Sequence, residues 1–407
     1  MIMGVGSALL TTVLSVRAGL EGIPESVIGL VLSGYYIGLV AGTFVATLVI
    51  PSVGYVRAFA AFASLASAVG FMHILIINPV VWFFFRVLYG ICLSVMQVVS
   101  ESWLNVTVTN THRGRVLSLY SIALLASLGM GQPLIGQFSP GSFEIFGITT
   151  IIVSLCLLPI TLAQVSGTPK IKQSKPMIKQ TFLRSPLAGV GVTLSGLLYG
   201  GTWSLLPRYG QQIGFTNGEI GLSMLLLALG TLFFQWPLGW LSDKRGRRSA
   251  IFLSSSGALF ISIIIISADI KGPFLFLLFF LFGGFGMPLY SLAVALMNDR
   301  LKTEEMVQAA GTLILFYGVG AASGPIISGM VMSKVGPQGL FYTMALPVFL
   351  FLLFTVLRLI KVPRLKRPAR LEPSHYHPYP RTTAAVFSLL KKTRRNTRDP
   401  GPQREKG

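Results

Sequence analysis

Hydrophobic positions in this chain do not alternate with polar ones at helical or strand spacing; they run unbroken. Nearly charge-free stretches cover about 2–18, 27–50, 58–77, 80–104, 116–138 and 143–163, then 186–205, 219–241, 249–268, 272–297, 307–332 and 337–359. A helix needs about 20 apolar residues to cross a bilayer. In hydrocarbon every backbone polar group must find its partner inside the segment, so runs of this length predict helices. The apolar run 58–85 exceeds one span, and Asn78-Pro79 divides it. The pattern therefore predicts an all-α membrane protein of twelve transmembrane helices. Six precede a basic linker at 164–185, six follow it, and a basic, disordered tail begins at 361.

Two spacings support duplicated halves. Gly54 and Gly246 lie 192 residues apart, as do Pro133 and Pro325. Each glycine falls between the second and third spans of its half and each proline in the fifth span, the internal repeat expected of an alternating-access bundle.

Charge sets the orientation. Placing the N-terminus in the cytoplasm puts 28 of the 33 lysines and arginines on that side, among them Arg57, Arg113, Arg115, the linker lysines and the tail. Both termini are thus expected inside a bacterial inner membrane. The net charge of +20 follows from topology, not from nucleic-acid binding. With 52% hydrophobic and 11% charged residues, the composition excludes a soluble domain. The apolar segment Met1 to Val16 lacks the basic start and cleavage site of a signal peptide and reads as the first span. Within the tail, Ala384–Leu390 with Lys391 and Lys392 has the makeup of a segment that rests on anionic lipid.

Cys92 and Cys156 sit in apolar runs and read as packed small residues. His73, His112, His375 and His377 lack companions at ligand spacing, so no metal is expected. No phosphate-binding loop occurs, no cofactor is implied and no catalytic domain is present, so the chain does not read as an enzyme. Its partners are expected to be a small organic solute, protons and membrane lipid, with a monomer as the working unit.

The most specific local signal is Gly239-Trp240-Leu241-Ser242-Asp243-Lys244-Arg245-Gly246-Arg247-Arg248. It resembles the cytoplasmic-loop signature of the major facilitator superfamily, Gly-x-Leu-x-Asp-x-x-Gly-Arg-Arg or Lys. That resemblance implies a fold of two six-helix halves and a loop acting as a conformational latch, through Asp243, Gly246, Arg247 and Arg248. The matching loop of the first half keeps Gly54 and Arg57 but has Pro51 where Asp243 stands in the second. In the eleventh span, Gly318, Gly320, Gly324, Pro325 and Gly329 resemble the glycine-proline pattern of drug:proton antiporters. The fifth-span counterpart keeps Gly131 and Pro133 but carries Gln132 in place of a glycine. These glycines and prolines read as helix-packing positions. The segments Glu101-Ser102-Trp103-Leu104-Asn105, Arg113-Gly114-Arg115 and Asn298-Asp299-Arg300 resemble a poorly characterised bacterial branch of the superfamily.

Ionisable groups inside spans are costly and point to function. Arg86, Gln97 and Glu101 fall within about 60° of one another on the fourth span. Arg86 reads either as a cavity cation for an anionic group or as an arginine reaching outward to the interface. Glu101 stands about 22 Å further along. It is expected in a latch with Arg57, Arg113 or Arg115, the alternative being a proton-carrying role. Thr11, Arg17, Tyr199, Trp203, Gln235 and Tyr290 complete the candidate cavity. Tyr199 and Trp203 share one helix face, suited to stacking on an organic solute. Arg17 has a second reading, a contact with Glu21 at the extracellular side. Secondary transport by alternating access, as proton-coupled export, is the function these residues imply. Import, uniport or a membrane sensor on the same bundle are the alternatives.

Overall fold

The computed structural model describes residues 1–108, 113–162, 177–267, 272–301 and 305–361. The tail, Asp269, His112 and the linker lysines Lys170, Lys172 and Lys175 lie outside them, as do the side chains of Arg113 and Arg115. The first half consists of α1 (Ile2–Leu20), α2 (Glu25–Val53), α3 (Tyr55–Leu75), α4 (Pro79–Thr107), α5 (Arg113–Met130), a 3-10 turn (Gln132–Gly136), α6 (Phe143–Leu155) and α7 (Leu157–Thr161). After α8 (Ile178–Arg184), the second half consists of α9 (Pro186–Gln212), α10 (Asn217–Arg245), α11 (Arg247–Ser267), α12 (Pro273–Gly286), α13 (Leu289–Asn298), α14 (Met306–Val335) and α15 (Gly339–Lys361). Among the described residues eleven helices are long and apolar enough to cross a membrane, and there are twelve when the bent pair α8–α9 is counted as one span.

The helices begin and end where local chemistry dictates. Asn78 accepts hydrogen bonds from the backbone N–H groups of Val80 and Val81 and, with Pro79 in the first turn, starts α4. Thr216 and Glu219 form a reciprocal capping box at the start of α10. Gly54 and Gly246 turn the chain at φ 84° and 97°, a region that side chains with a Cβ avoid. Gly22 and Gly214 also have positive φ and again lie 192 residues apart. The ends of α2 and α10, and of α3 and α11, keep that offset.

Packing repeats as well. In the first half α2 lies on α4 and α3 on α6; in the second α10 lies on α12 and α11 on α15. Across the halves α2 meets α14, while α10 meets α5 and the 3-10 turn, a pseudo-twofold exchange.

The sixth span is interrupted at Cys156, and four other elements depart from the sequence expectation. The fifth span does not continue as α-helix through Pro133; it breaks at Gly131 and tightens into the 3-10 turn, because proline has no N–H for the helical ladder. The tenth divides at Met287-Pro288 for the same reason. The seventh runs beyond 205 to Gln212. The linker contains α8, bent 109° from α9, with Arg184 paired to Glu305 at 2.6 Å.

Candidate functional site

Arg86 is the most unusual side chain in the bundle: it lies in mid-helix and is 0% exposed. It is therefore not an interfacial arginine reaching outward to water. Its neighbours come from three helices. Nη2 donates to Thr11 Oγ1 of α1 at 2.9 Å, and the guanidinium lies 4.6 Å from the Tyr35 ring centre on α2 and 5.8 Å from that of Tyr89 on α4. Gly34, Gly38 and Gly90 bring α2 and α4 this close; a Cβ on Gly38 would stand 2.1 Å from the Val87 carbonyl. Cation–π contact partly replaces lost hydration. Nε and Nη1 are enclosed and have no hydrogen-bond partner among the described residues. No carboxylate pairs with this cation among those residues.

The second half contributes aromatic rings. Tyr199 and Trp203 of α9 lie 5.8 Å apart, Tyr199 and Tyr317 of α14 6.1 Å, and Tyr317 and Tyr290 of α13 4.8 Å. All four are buried. The Trp203 Nε1 donor is enclosed and unpartnered among the described residues. Tyr36 of α2 joins the two groups: its hydroxyl faces Ser204 of α9 and stands near both Tyr199 and Arg86. A chain of polar and aromatic groups thus runs from Arg86 across the halves to Tyr290.

The remaining candidates fall elsewhere. Gln97 is half-buried about three turns from Arg86 and does not join its cluster. Gln235 donates to Ser291 at 3.0 Å, within the second half. Arg17 stands apart from the Arg86 cluster: it donates to the Gly141 carbonyl and pairs with Glu21. Glu101 and Arg57 are not partners. Glu101 is completely enclosed and Arg57 is exposed. Gln132, the departure from the glycine pattern, accepts from Thr12 of α1 at 2.8 Å. Beside it Gly131 abuts Val5 of α1, and a Cβ there would meet Val5 Cγ1 at 2.8 Å.

Two ionic clusters mark opposite ends. At one, Arg247 pairs with Asp243 and, at 3.0 Å, with Asp299, and also donates to Ser242; Arg248 donates to the Arg358 carbonyl. All of these residues belong to the second half. At the other end, Arg208 of α9 reaches Glu25 of α2 at 2.7 Å through Nη2, and Gln212 donates to the same carboxylate oxygen at 2.8 Å. Gln211 donates to the Val16 carbonyl of α1 at 3.3 Å. Beside them Gly29 meets Pro325 and Gly329, Ser26 N–H donates to Ser333 at 2.9 Å, and Gly136 abuts Gly218. This end joins the halves. Arg208 and Glu25 each lie just outside an apolar run, so the pattern of spans does not mark them. Both were signalled by being isolated charges at the side that carries few.

The profile of the Major Facilitator Superfamily matches residues 1–216 and again 188–397. The chain belongs to that superfamily. The double match mirrors the repeated packing, and the family is one of carriers rather than enzymes. Major facilitator relatives include the uncharacterised MFS-type transporter YcaD of Escherichia fergusonii, 27% identical over 356 residues, which are 87% of this chain and 92% of that protein. An uncharacterised MFS-type transporter of Yersinia pseudotuberculosis is 26% identical over the same shares. Among solved structures, the nucleoside transporter NupG superposes with a TM-score of 0.69 at 12% identity, over 88% of this chain and 96% of that one. The human organic anion transporter MFSD10 (TETRAN) gives 0.57 at 14% identity, over 87% and 98%. At such identities these two share the fold alone. The chain is a multi-pass membrane carrier that moves a small solute by secondary transport.

Proposed function

We propose that this major facilitator carrier is a monomeric inner-membrane exporter of a small organic anion, driven by exchange for protons. The observation that carries the substrate class is Arg86, a cation closed off from water with two donor groups unspent. Buried charge of this kind is stable when a counter-charge completes it. A solute carboxylate or phosphate supplies that charge, and the bidentate fork of a guanidinium suits either group. The rings of Tyr199, Trp203, Tyr290 and Tyr317 in the opposite half fit a flat organic body, and the Trp203 donor gives it a polar handle. A site made from both halves is sensitive to their relative position, as alternating access requires.

Orientation follows from the lysine and arginine bias. The Arg247 end faces the cytoplasm, the joined Glu25–Arg208 end faces outward, and the conformation is inward-facing. Residues 1–163 and 186–360 form the two rocking bundles, linked by 164–185 and followed by the tail 361–407. Antiport is favoured by the glycine-proline pattern of α14, with Gly320 and Gly324 closing α14 onto α9. Reporters fused after residues 165, 214 and 407 should read cytoplasm, outside and cytoplasm; the opposite pattern sinks the orientation.

The substrate test uses benzoate, benzamide and benzylammonium, which share a ring and differ in charge. In proteoliposomes with an imposed proton gradient, benzoate should move fastest. Arg86→Gln should lower benzoate flux at least about tenfold and Arg86→Lys less, because lysine keeps the charge and loses the fork. Equal flux of the three probes, or unchanged benzoate preference in both variants, rejects the anion site.

A further inference from the structure

Glu101 has no place in the site above, and its surroundings are those of a group built to hold something. Among the described residues it is the one acidic side chain that is buried. It is fully enclosed, and neither carboxylate oxygen has a hydrogen-bond partner among those residues. Among the described side chains, which do not include those of Arg113 and Arg115, no cation pairs with it, and the neighbour that bears on it is the Tyr120 hydroxyl of α5, itself enclosed. Besides α1, which reaches α4 at Arg86 through Thr11, the helices packed against α4 are α2, α3 and α5. From Gly38 to its end α2 has no ionisable residue. From α3, Tyr55 faces Ser102, the residue next to Glu101. In α5, Tyr120 is the facing group, and Arg113 and Arg115 come earlier in that helix. On α4 itself, Arg86 is about four turns away.

We infer that Glu101 is the proton-binding group of this carrier, loaded from the outer side, neutral in the closed pocket seen here and discharged into cytoplasmic water when α4 and α5 part. The inference rests on the proton-coupled reading above. An ionised carboxylate removed from water with a single hydroxyl beside it is far costlier than a neutral acid, so the enclosed state selects the acid form. The step is a plain transfer: the carboxylate takes a proton from water on one side and the acid returns it to water on the other. Tyr120, whose O–H can donate or accept, orients the acid proton and can donate to the carboxylate as it forms. Distance from Arg86 separates the proton site from the solute site, so the two are coupled through helix position rather than by direct contact.

Two measurements on the full chain in proteoliposomes test this. Infrared difference spectra recorded across a pH titration, without added solute, should show the carbonyl band of a neutral carboxylic acid. That band should vanish in Glu101→Gln, persist in Glu101→Asp and shift in Tyr120→Phe. In transport, Glu101→Gln should keep benzoate/benzoate exchange within about twofold of wild type, which shows that the variant folds and binds. It should lose proton-gradient-driven benzoate movement by at least about tenfold. A band that survives in Glu101→Gln, or gradient-driven movement that does, removes the assignment while leaving proton coupling intact. Wild-type flux indifferent to the proton gradient overturns the coupling reading itself, and the role given to Glu101 with it.

Discussion

The ionic clusters at the two ends of the bundle use similar chemistry to different effect. At the Glu25–Arg208 end an acid from the first half is gripped by an arginine and a glutamine from the second. At the Arg247 end one arginine holds two acids, Asp243 and Asp299, and all three belong to the second half. A contact that crosses the halves changes the balance between conformations, because alternation must break it. A contact inside one half moves with its bundle and leaves that balance nearly untouched. The residues most readable as a latch are therefore a clamp within one bundle in this conformation. Among the described residues the polar contacts that join the halves are at the opposite end.

Glycine positions allow the comparison to be broken most severely. A Cβ on Gly29 would lie 2.1 Å from the Pro325 carbonyl oxygen, across the halves, and one on Gly320 would lie 1.9 Å from that of Thr193, within the second half. Steric overlap is nearly the same and its consequence should not be. Gly29→Val should prevent closure at this end, lowering transport by at least about tenfold while thermal stability in detergent changes little. Gly320→Val should separate α9 from α14 and lower the melting temperature, with a cost of about 1–3 kcal/mol for overpacking. Melting curves and benzoate flux on both variants decide the matter; a matching loss of stability in the two would remove the distinction.

How far the sequence reached follows the same division. Spans were legible because their signal is local: a long apolar run must be a helix in lipid. Breaks at Gly131 and at Met287-Pro288 were harder to read because proline within an apolar run is compatible with a bent helix or with a divided one. The isolated position of Arg86 marked it as a candidate, but Tyr35, Tyr36 and Tyr317 gave no signal, since tyrosines in a membrane protein are usually interfacial. Their role depends on which helix faces pack together, a fact of tertiary structure. Arg208 and Glu25 were illegible as a pair because 183 residues separate them. Glu101 was visible, but its enclosure was not, and that enclosure separates a proton-binding reading from a pairing with Arg57.

The ion pair between the halves gives an intermediate effect. Glu25 and Arg208 are each about 15% exposed, so water screens part of the attraction, and the pair should contribute about 1 kcal/mol to closure of that end. Arg208→Gln should therefore shift the conformational balance about fivefold toward the opposite state, read as faster thiol labelling of a single cysteine placed at Ser26, with Cys92 and Cys156 replaced. Both native cysteines are buried and the replacement is conservative in size if alanine or serine is used. The charge exchange Glu25→Arg with Arg208→Glu should restore much of the slow labelling. Unchanged labelling in Arg208→Gln would show that apolar contact around Gly29 closes this end alone.

The smallest effect is expected at Asp243, despite its being the most recognisable residue of the chain. Arg247 keeps Asp299 and Ser242 when Asp243 becomes Asn, so the guanidinium retains a counter-charge and the helix ends stay joined. Asp243 is also partly exposed, which limits the strength of the lost charge contact. Asp243→Asn should reduce turnover about twofold to threefold and leave equilibrium benzoate affinity unchanged, since the substitution lies outside the proposed solute site. Asp243→Asn combined with Asp299→Asn leaves Arg247 without either acid and should cost more than the sum of the single changes, as two acids share one cation. A selective change in benzoate affinity with normal turnover would reverse the assignment of this loop from clamp to binding site. A loss of turnover in Asp243→Asn as deep as that of Gly29→Val would mean that the loop works across the halves at another stage of the cycle.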